Sequence, residues 1–213
     1  MYTLVEEKDG YRVSLSIVSL KGSEIEENIV ELKVDRGGAV LEGPFRSVGD
    51  AVYRASAALL EVADEVEKRL DKLELLLESD KRVKPIEVYD AVYLAHALYS
   101  HALSLRELAR RLRSAGLVRP RQIELTRFAL RRAEALRRSS LDLRLLHLTQ
   151  VQYSINLSMK RLTIVGTLAL PALLISSIYG MNLAHLPFAD SPILVFSLMA
   201  AASALFTLIV YRL

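Results

Sequence analysis

Asn182 stands where side-chain chemistry is scarce. It closes an uncharged apolar run, and a second such run follows ten residues later. A neutral amide offers one acceptor oxygen and two donor hydrogens, and it does so without titrating. Such a group can hydrogen-bond a ligand or a hydrated ion, or it can simply end a helix as a turn residue. Other candidate chemistry is thin. His96, His101, His147 and His185 lack the spacing of a zinc site, and His96 and His101 read as helix-surface or packing residues. There is no phosphate loop, nucleophile elbow or dinucleotide-binding glycine pattern. Cysteine is absent, which excludes disulfides and thiolate metal sites. The chain is therefore not expected to be an enzyme, and no cofactor is expected.

The elements that must position Asn182 are long and apolar. Neither Leu162 to Ile178 nor Pro192 to Tyr211 contains a charged residue. At about 1.5 Å per residue, each run with its flanks crosses most of a hydrocarbon core of roughly 30 Å. The link Gly180 to Ser191 is too short to be a domain. The expected hairpin is a first transmembrane helix over 162–180, an external loop over 181–191 and a second transmembrane helix over 192–211. These runs account for a hydrophobic fraction of 52% and a mean hydropathy of +0.25 in 213 residues, both high for a soluble protein. No signal peptide is read, since Met1 to Val5 run directly into Glu6, Glu7 and Lys8. Lys160, Arg161 and Arg212 flank the hairpin, and the link has no lysine or arginine, so both termini are expected in the cytoplasm.

Tyr179-Gly180-Met181-Asn182, closing one span with a second directly after it, resembles the signature of the CorA family of magnesium channels. Asn156 to Thr163 (NLSMKRLT) and the mid-span Pro171 are also similar to that family. The resemblance covers Asn156 to Arg212 best and is weakest over the first 45 residues. It implies a funnel-shaped homopentamer in the cell membrane that passes divalent cations, Mg²⁺ above all, passively. Mg²⁺ gives up its waters reluctantly, so a pore for the hydrated ion needs oxygen acceptors rather than a carboxylate cage. By resemblance, Asn182 rings the entrance as selectivity filter, with Gly180 allowing a backbone turn beside it and Met181 and Tyr179 completing the signature. Met159, Leu162, Gly166, Leu170, Leu173 and Ser177 share one helix face by their spacing. Of the positions that match pore-lining family residues, Asn156 would be a second polar ring, and Leu162 and Leu170 apolar constrictions.

The sequence departs from the family in places. Asp190 is the sole acid of the link, and Arg212-Leu213 stand where the family commonly has a lysine-rich segment. Mg²⁺ is also a possible regulator, for which Asp64, Glu67, Asp71 and Asp142 are loose candidates. Two other readings use the same hairpin: a relative carrying Zn²⁺, Co²⁺ or Ni²⁺, and a non-conducting, membrane-anchored regulator.

The preceding chain reads as a cytoplasmic α+β domain over 1–118 and a stalk helix over 119–161. Strands are expected within 2–42, with turns at Asp9-Gly10 and Gly37-Gly38. A helix over about 47–79, capped by Ser47, carries Leu59, Leu60, Val62, Val66, Leu70, Leu73 and Leu77 on its apolar face. A second, over about 85–115, starts at Pro85 and stops at Gly116. Its stripe is Val88, Val92, Ala95, Tyr99, Ala102, Leu105, Leu108 and Leu112. From Pro120 no stop signal precedes the membrane, so one very long helix is expected to run into the first span. The first helix is acidic, and the adjoining ends of the next two are rich in arginine. This predicts acidic against basic faces in a bundle; no nucleic-acid partner is expected, because no recognition motif accompanies the arginines.

Overall fold

The computed structural model describes residues 2–79, 81–181 and 191–212. Four strands, β1 (Thr3–Glu7), β2 (Gly10–Lys21), β3 (Glu24–Asp35) and β4 (Val40–Glu42), form an antiparallel meander in sequence order. Four helices follow: α1 (Val48–Glu78), α2 (Pro85–Ser114), α3 (Pro120–Gly180) and α4 (Pro192–Arg212). The chain divides into two compact units, residues 1–148 and 149–213.

In the first unit the long β2–β3 pair sets the register, with Leu15 opposite Val30 and Val13 opposite Leu32. Val13, Leu15, Val30, Leu32 and Val34 therefore share a face, and all are buried. The turn joining these strands is Gly22-Ser23, where Gly22 takes a left-handed φ of 62°. The Asp9-Gly10 signal marks the start of β2, and Gly37-Gly38 lies between β3 and β4.

Local chemistry fixes the helix ends. The Asp50 backbone N–H donates to Ser47 Oγ at 3.1 Å, the expected cap of α1. Pro85 occupies the first turn of α2. At its other end, Gly116 adopts φ 75°. Leu117 N–H reaches Leu112 O and Gly116 N–H reaches Arg113 O, both at 2.9 Å, a Schellman closure. The Arg119 N–H donates to Gln122 Oε1 at 2.7 Å as α3 begins. A Cβ on Gly49 would lie 2.4 Å from Gln122 Nε2, so a larger residue there would have to displace the Gln122 side chain.

Leu59, Val62, Val66, Leu70, Leu73 and Leu77 of α1 are buried as expected, while Leu60 is only partly covered. In α2, Val88, Ala95, Ala102, Leu105, Leu108 and Leu112 are buried as expected, and the buried face is wider than the expected stripe. Leu94 and Leu98 are fully buried, and Val92 and Tyr99 are partly covered. The Tyr99 ring instead carries the Arg137 guanidinium at 4.5 Å, a cation–π contact between α2 and α3. Acidic and basic faces do meet: Arg132 of α3 bridges Asp64 at 2.6 Å and Glu67 at 2.7 Å on α1.

Candidate functional site

The expected site residues lie on the membrane-proximal half of α3. This helix is 61 residues long, about 90 Å, and contains Pro171 without being ended by it. Within a bilayer, proline is tolerated in a helix because neighbouring groups and small backbone shifts satisfy the freed carbonyl. Gly180 is the last helical residue, and Met181 N–H closes the end by donating to Ile178 O at 3.2 Å. Asn182 and residues 183–190 lie outside the described residues.

Gly180 corrects one expectation. It continues the helix rather than turning left-handed, and among the described residues a Cβ placed on it meets nothing within 4 Å.

The second unit has two distinct helix faces. On α3, Pro171, Ala172, Ile175 and Tyr179 are partly covered. At about 100° per residue they fall on one side of the helix. On α4 the partly covered residues include Val195, Met199, Ala202 and Ser203, again at spacings of three and four. The opposite side of α3 carries Met159, Leu162, Gly166, Leu170, Leu173 and Ser177, every one exposed. Thr167 and Ala169, at the margins between the two sides, are also partly covered. Asn156 is exposed too, but it sits about 80° around the helix from the centre of that stripe, at its edge.

Sequence reasoning missed how far this spacing extends. Leu141, Leu145, Leu148, Gln152 and Ile155 precede Met159 at alternating steps of four and three, a heptad pattern. All five are exposed, with Leu145 at 64% and Ile155 at 52%, as are their neighbours throughout 151–158. By contrast Leu136 and Leu143, on another side of α3, are buried. The signal was present as strict spacing, but it was obscured by the many other leucines of this helix.

The loosely matched regulatory acids are not gathered. Asp64 and Glu67 are already engaged by Arg132, whose hydrogen bond to Glu67 holds the guanidinium charged. Asp142 lies in a separate open cleft with Glu74, Glu78 and Glu134, beside Arg131 and Arg138. No group of three or more potential metal ligands occurs among the described residues.

Two helices are each long and apolar enough to span a bilayer, and neither buries its apolar window. The chain belongs to the CorA family: the family profile, described as CorA-like Mg2+ transporter protein, matches residues 24–212. Its fold is similar to that of the CorA magnesium transporter from Methanocaldococcus jannaschii. The TM-score is 0.70 at 18% identity, over 100% of this chain and 79% of that one. No curated protein matches the sequence. Membership places the chain among divalent-cation transporters rather than enzymes, in a family whose transported ion is Mg²⁺.

Proposed function

We propose that this chain is one subunit of a homopentameric, passive Mg²⁺ channel that admits the ion to the cytoplasm. α3 supplies the pore wall, and a ring of Asn182 side chains forms the selectivity filter. The observation that carries the reading is the exposed stripe from Met159 to Ser177, on the side of α3 opposite its partly covered residues. One hairpin cannot enclose a pore, so a face left open by its own chain is the one available to a lumen shared with other copies. Gly166 and Ser177 on that face leave room and polarity, while Leu162, Leu170 and Leu173 supply apolar constrictions that can gate by dewetting. Asn156 is the polar residue of the inner end. At the outer mouth, amide oxygens accept hydrogen bonds from the water shell of the cation, which spares Mg²⁺ the cost of dehydration. Gly180 serves the assembly, where neighbouring copies approach.

Flux into proteoliposomes tests this. Asn182→Ala removes the acceptor and should cut Mg²⁺ flux by about tenfold or more, with oligomer size unchanged. Leu183→Ala should be far milder. If Asn182→Ala conducts as well as the parent, the filter assignment fails. A panel of Zn²⁺, Co²⁺ and Ni²⁺ distinguishes a related transporter, and absence of any flux in the parent favours a membrane-anchored regulator.

Both termini are assigned to the cytoplasm from the flanking Lys160, Arg161 and Arg212. Since the chain has no cysteine, Ala184→Cys and Ala129→Cys can be labelled singly in intact cells with an impermeant reagent. Labelling at 184 alone is expected; labelling at 129 alone would invert the topology.

A further inference from the structure

A cavity of about 510 Å³ opens between the start of α2 and α3, within the first unit, with Leu148 of the heptad stripe in its wall. Its volume falls in the range of small-molecule sites, roughly 300–1,000 Å³. Ile86, Val92 and Leu148 form much of its apolar wall. The polar groups around them have a consistent sign. Tyr89, Tyr93, His96, Arg144 and His147 line the cavity, and among the described residues no carboxylate does. With histidines neutral, Arg144 is then the one formal charge among the described lining residues. Among the described residues Arg144 forms no ion pair with a carboxylate, unlike Arg132 and Arg138 on the same helix. Two phenols and two imidazoles add hydrogen-bond donors.

One further observation points to an occupant: Ile86, Tyr89, Tyr93 and Leu148 of this lining are more than half exposed, at 59%, 67%, 53% and 53%, an open apolar and phenolic surface.

We propose that this cavity binds an amphipathic carboxylate, a molecule with an apolar body and one acidic head. The body lies against Ile86, Val92 and Leu148, and the head pairs with the Arg144 guanidinium, with His96, His147 and the tyrosines donating around it. Charge complementarity decides the class: a cation meets Arg144, and an uncharged apolar molecule leaves the guanidinium unanswered. The carboxylate can come from membrane lipid breakdown or from soluble aromatic acids, which share this chemistry.

The test uses the full chain in phosphatidylcholine nanodiscs, with radiolabelled dodecanoate and, separately, a soluble naphthoate as probes. Saturable binding of one probe at one site per chain is expected, and whichever binds more tightly identifies the source. Dodecanol, which keeps the body and loses the charge, should bind about tenfold more weakly. Arg144→Gln should lose about tenfold in carboxylate affinity, Arg144→Lys less, and Val92→Trp, which fills the space, should abolish binding. Unchanged oligomer size and circular dichroism show that each variant is folded. The proposal is overturned if neither carboxylate saturates, or if dodecanol binds as well as dodecanoate. It is also overturned if Tyr89→Cys is shielded from thiol reagents before any probe is added, which would make this face an interface between copies.

Discussion

Leu70 and Leu173 are both helical leucines set in runs spaced by three and four residues, yet one is 1% exposed and the other 61%. The first belongs to a unit that finishes its own core. Its stripe closes onto β2 and α2, with Ala55, Leu59 and Val66 beside it and Leu98 and Leu105 across the helix pair. The second belongs to a unit in which α3 and α4 cover little of each other, leaving most apolar side chains open. In water such exposure would be costly, at roughly 25 cal/mol for each Å² of apolar surface. In a bilayer that cost is absent wherever such side chains meet lipid. The contrast teaches that identical spacing reads as a core only where the same chain supplies the opposing layer.

Substitution tests this contrast most directly. Leu70→Ala should lower unfolding free energy by about 2–5 kcal/mol, because it opens a cavity in a closed core. Leu173→Ala should change it by less than about 0.5 kcal/mol while altering ion flux. Thermal unfolding of both variants in nanodiscs, alongside flux, checks the pair. Equal destabilisation would mean that Leu173 is packed in the assembly rather than facing a lumen.

A smaller effect is expected where α3 is fastened within the first unit. Arg132 is 31% exposed and its partners Asp64 and Glu67 are 52% and 46% exposed, so solvent screens the bridge. Arg132→Met should therefore cost only about 1 kcal/mol, and the cost should shrink at high salt. Chemical denaturation at two ionic strengths measures it. A loss independent of salt would assign the role of Arg132 to packing instead.

The smallest effect is a pH dependence confined to the sheet side of the first unit. Tyr2 Oη lies 3.3 Å from His101 Nδ1, and Ser16 Oγ donates to Glu27 at 2.8 Å. Burial lowers the His101 pKa, outweighing the pull of Glu27. Burial also raises the Tyr2 phenol, with the Glu27 carboxylate adding to it. The Glu27 pKa is lowered, first by the Ser16 hydrogen bond. A histidine with a lowered folded pKa binds its proton more readily when unfolded, so stability falls as pH drops below about 6.5. A carboxylate with a lowered pKa contributes stability that is lost only further down, as pH falls through the carboxylate range. Both shifts thus weaken the fold on acidification, in two separate windows. His101→Leu should flatten the upper window and leave the lower. Melting temperatures between pH 7.5 and 5.5 that fall equally in parent and variant would remove His101 from this account.

Much was legible before any coordinates because it is local. Ser47, Pro85, Gly116 and Pro120 each act through their own backbone geometry, and each marks a helix end that the structure reproduces. The two apolar runs and the YGMN signature were legible for the same reason, and they pointed to the family that the chain belongs to. The Gly22-Ser23 turn was passed over because its two residues sit between strands whose alternation is incomplete. The candidate cavity at Arg144 had no signal in the sequence at all, since its walls come from two stretches far apart in the chain, 85–96 and 144–148.

The sequence by itself determined that α3 would be continuous. No residue between Pro120 and Gly180 breaks a helix except Pro171, which lies within the span. Tertiary structure decided what the leucines of that helix do. Leu136 and Leu143 are buried and Leu145 and Leu173 are exposed, although all four are equally apolar. The physical reason is that hydrophobicity is a property of a side chain, whereas burial depends on what lies opposite it. In the first unit the placement of α1 and α2 fixes which side of α3 is met by its own chain, and in the second unit the placement of α4 does.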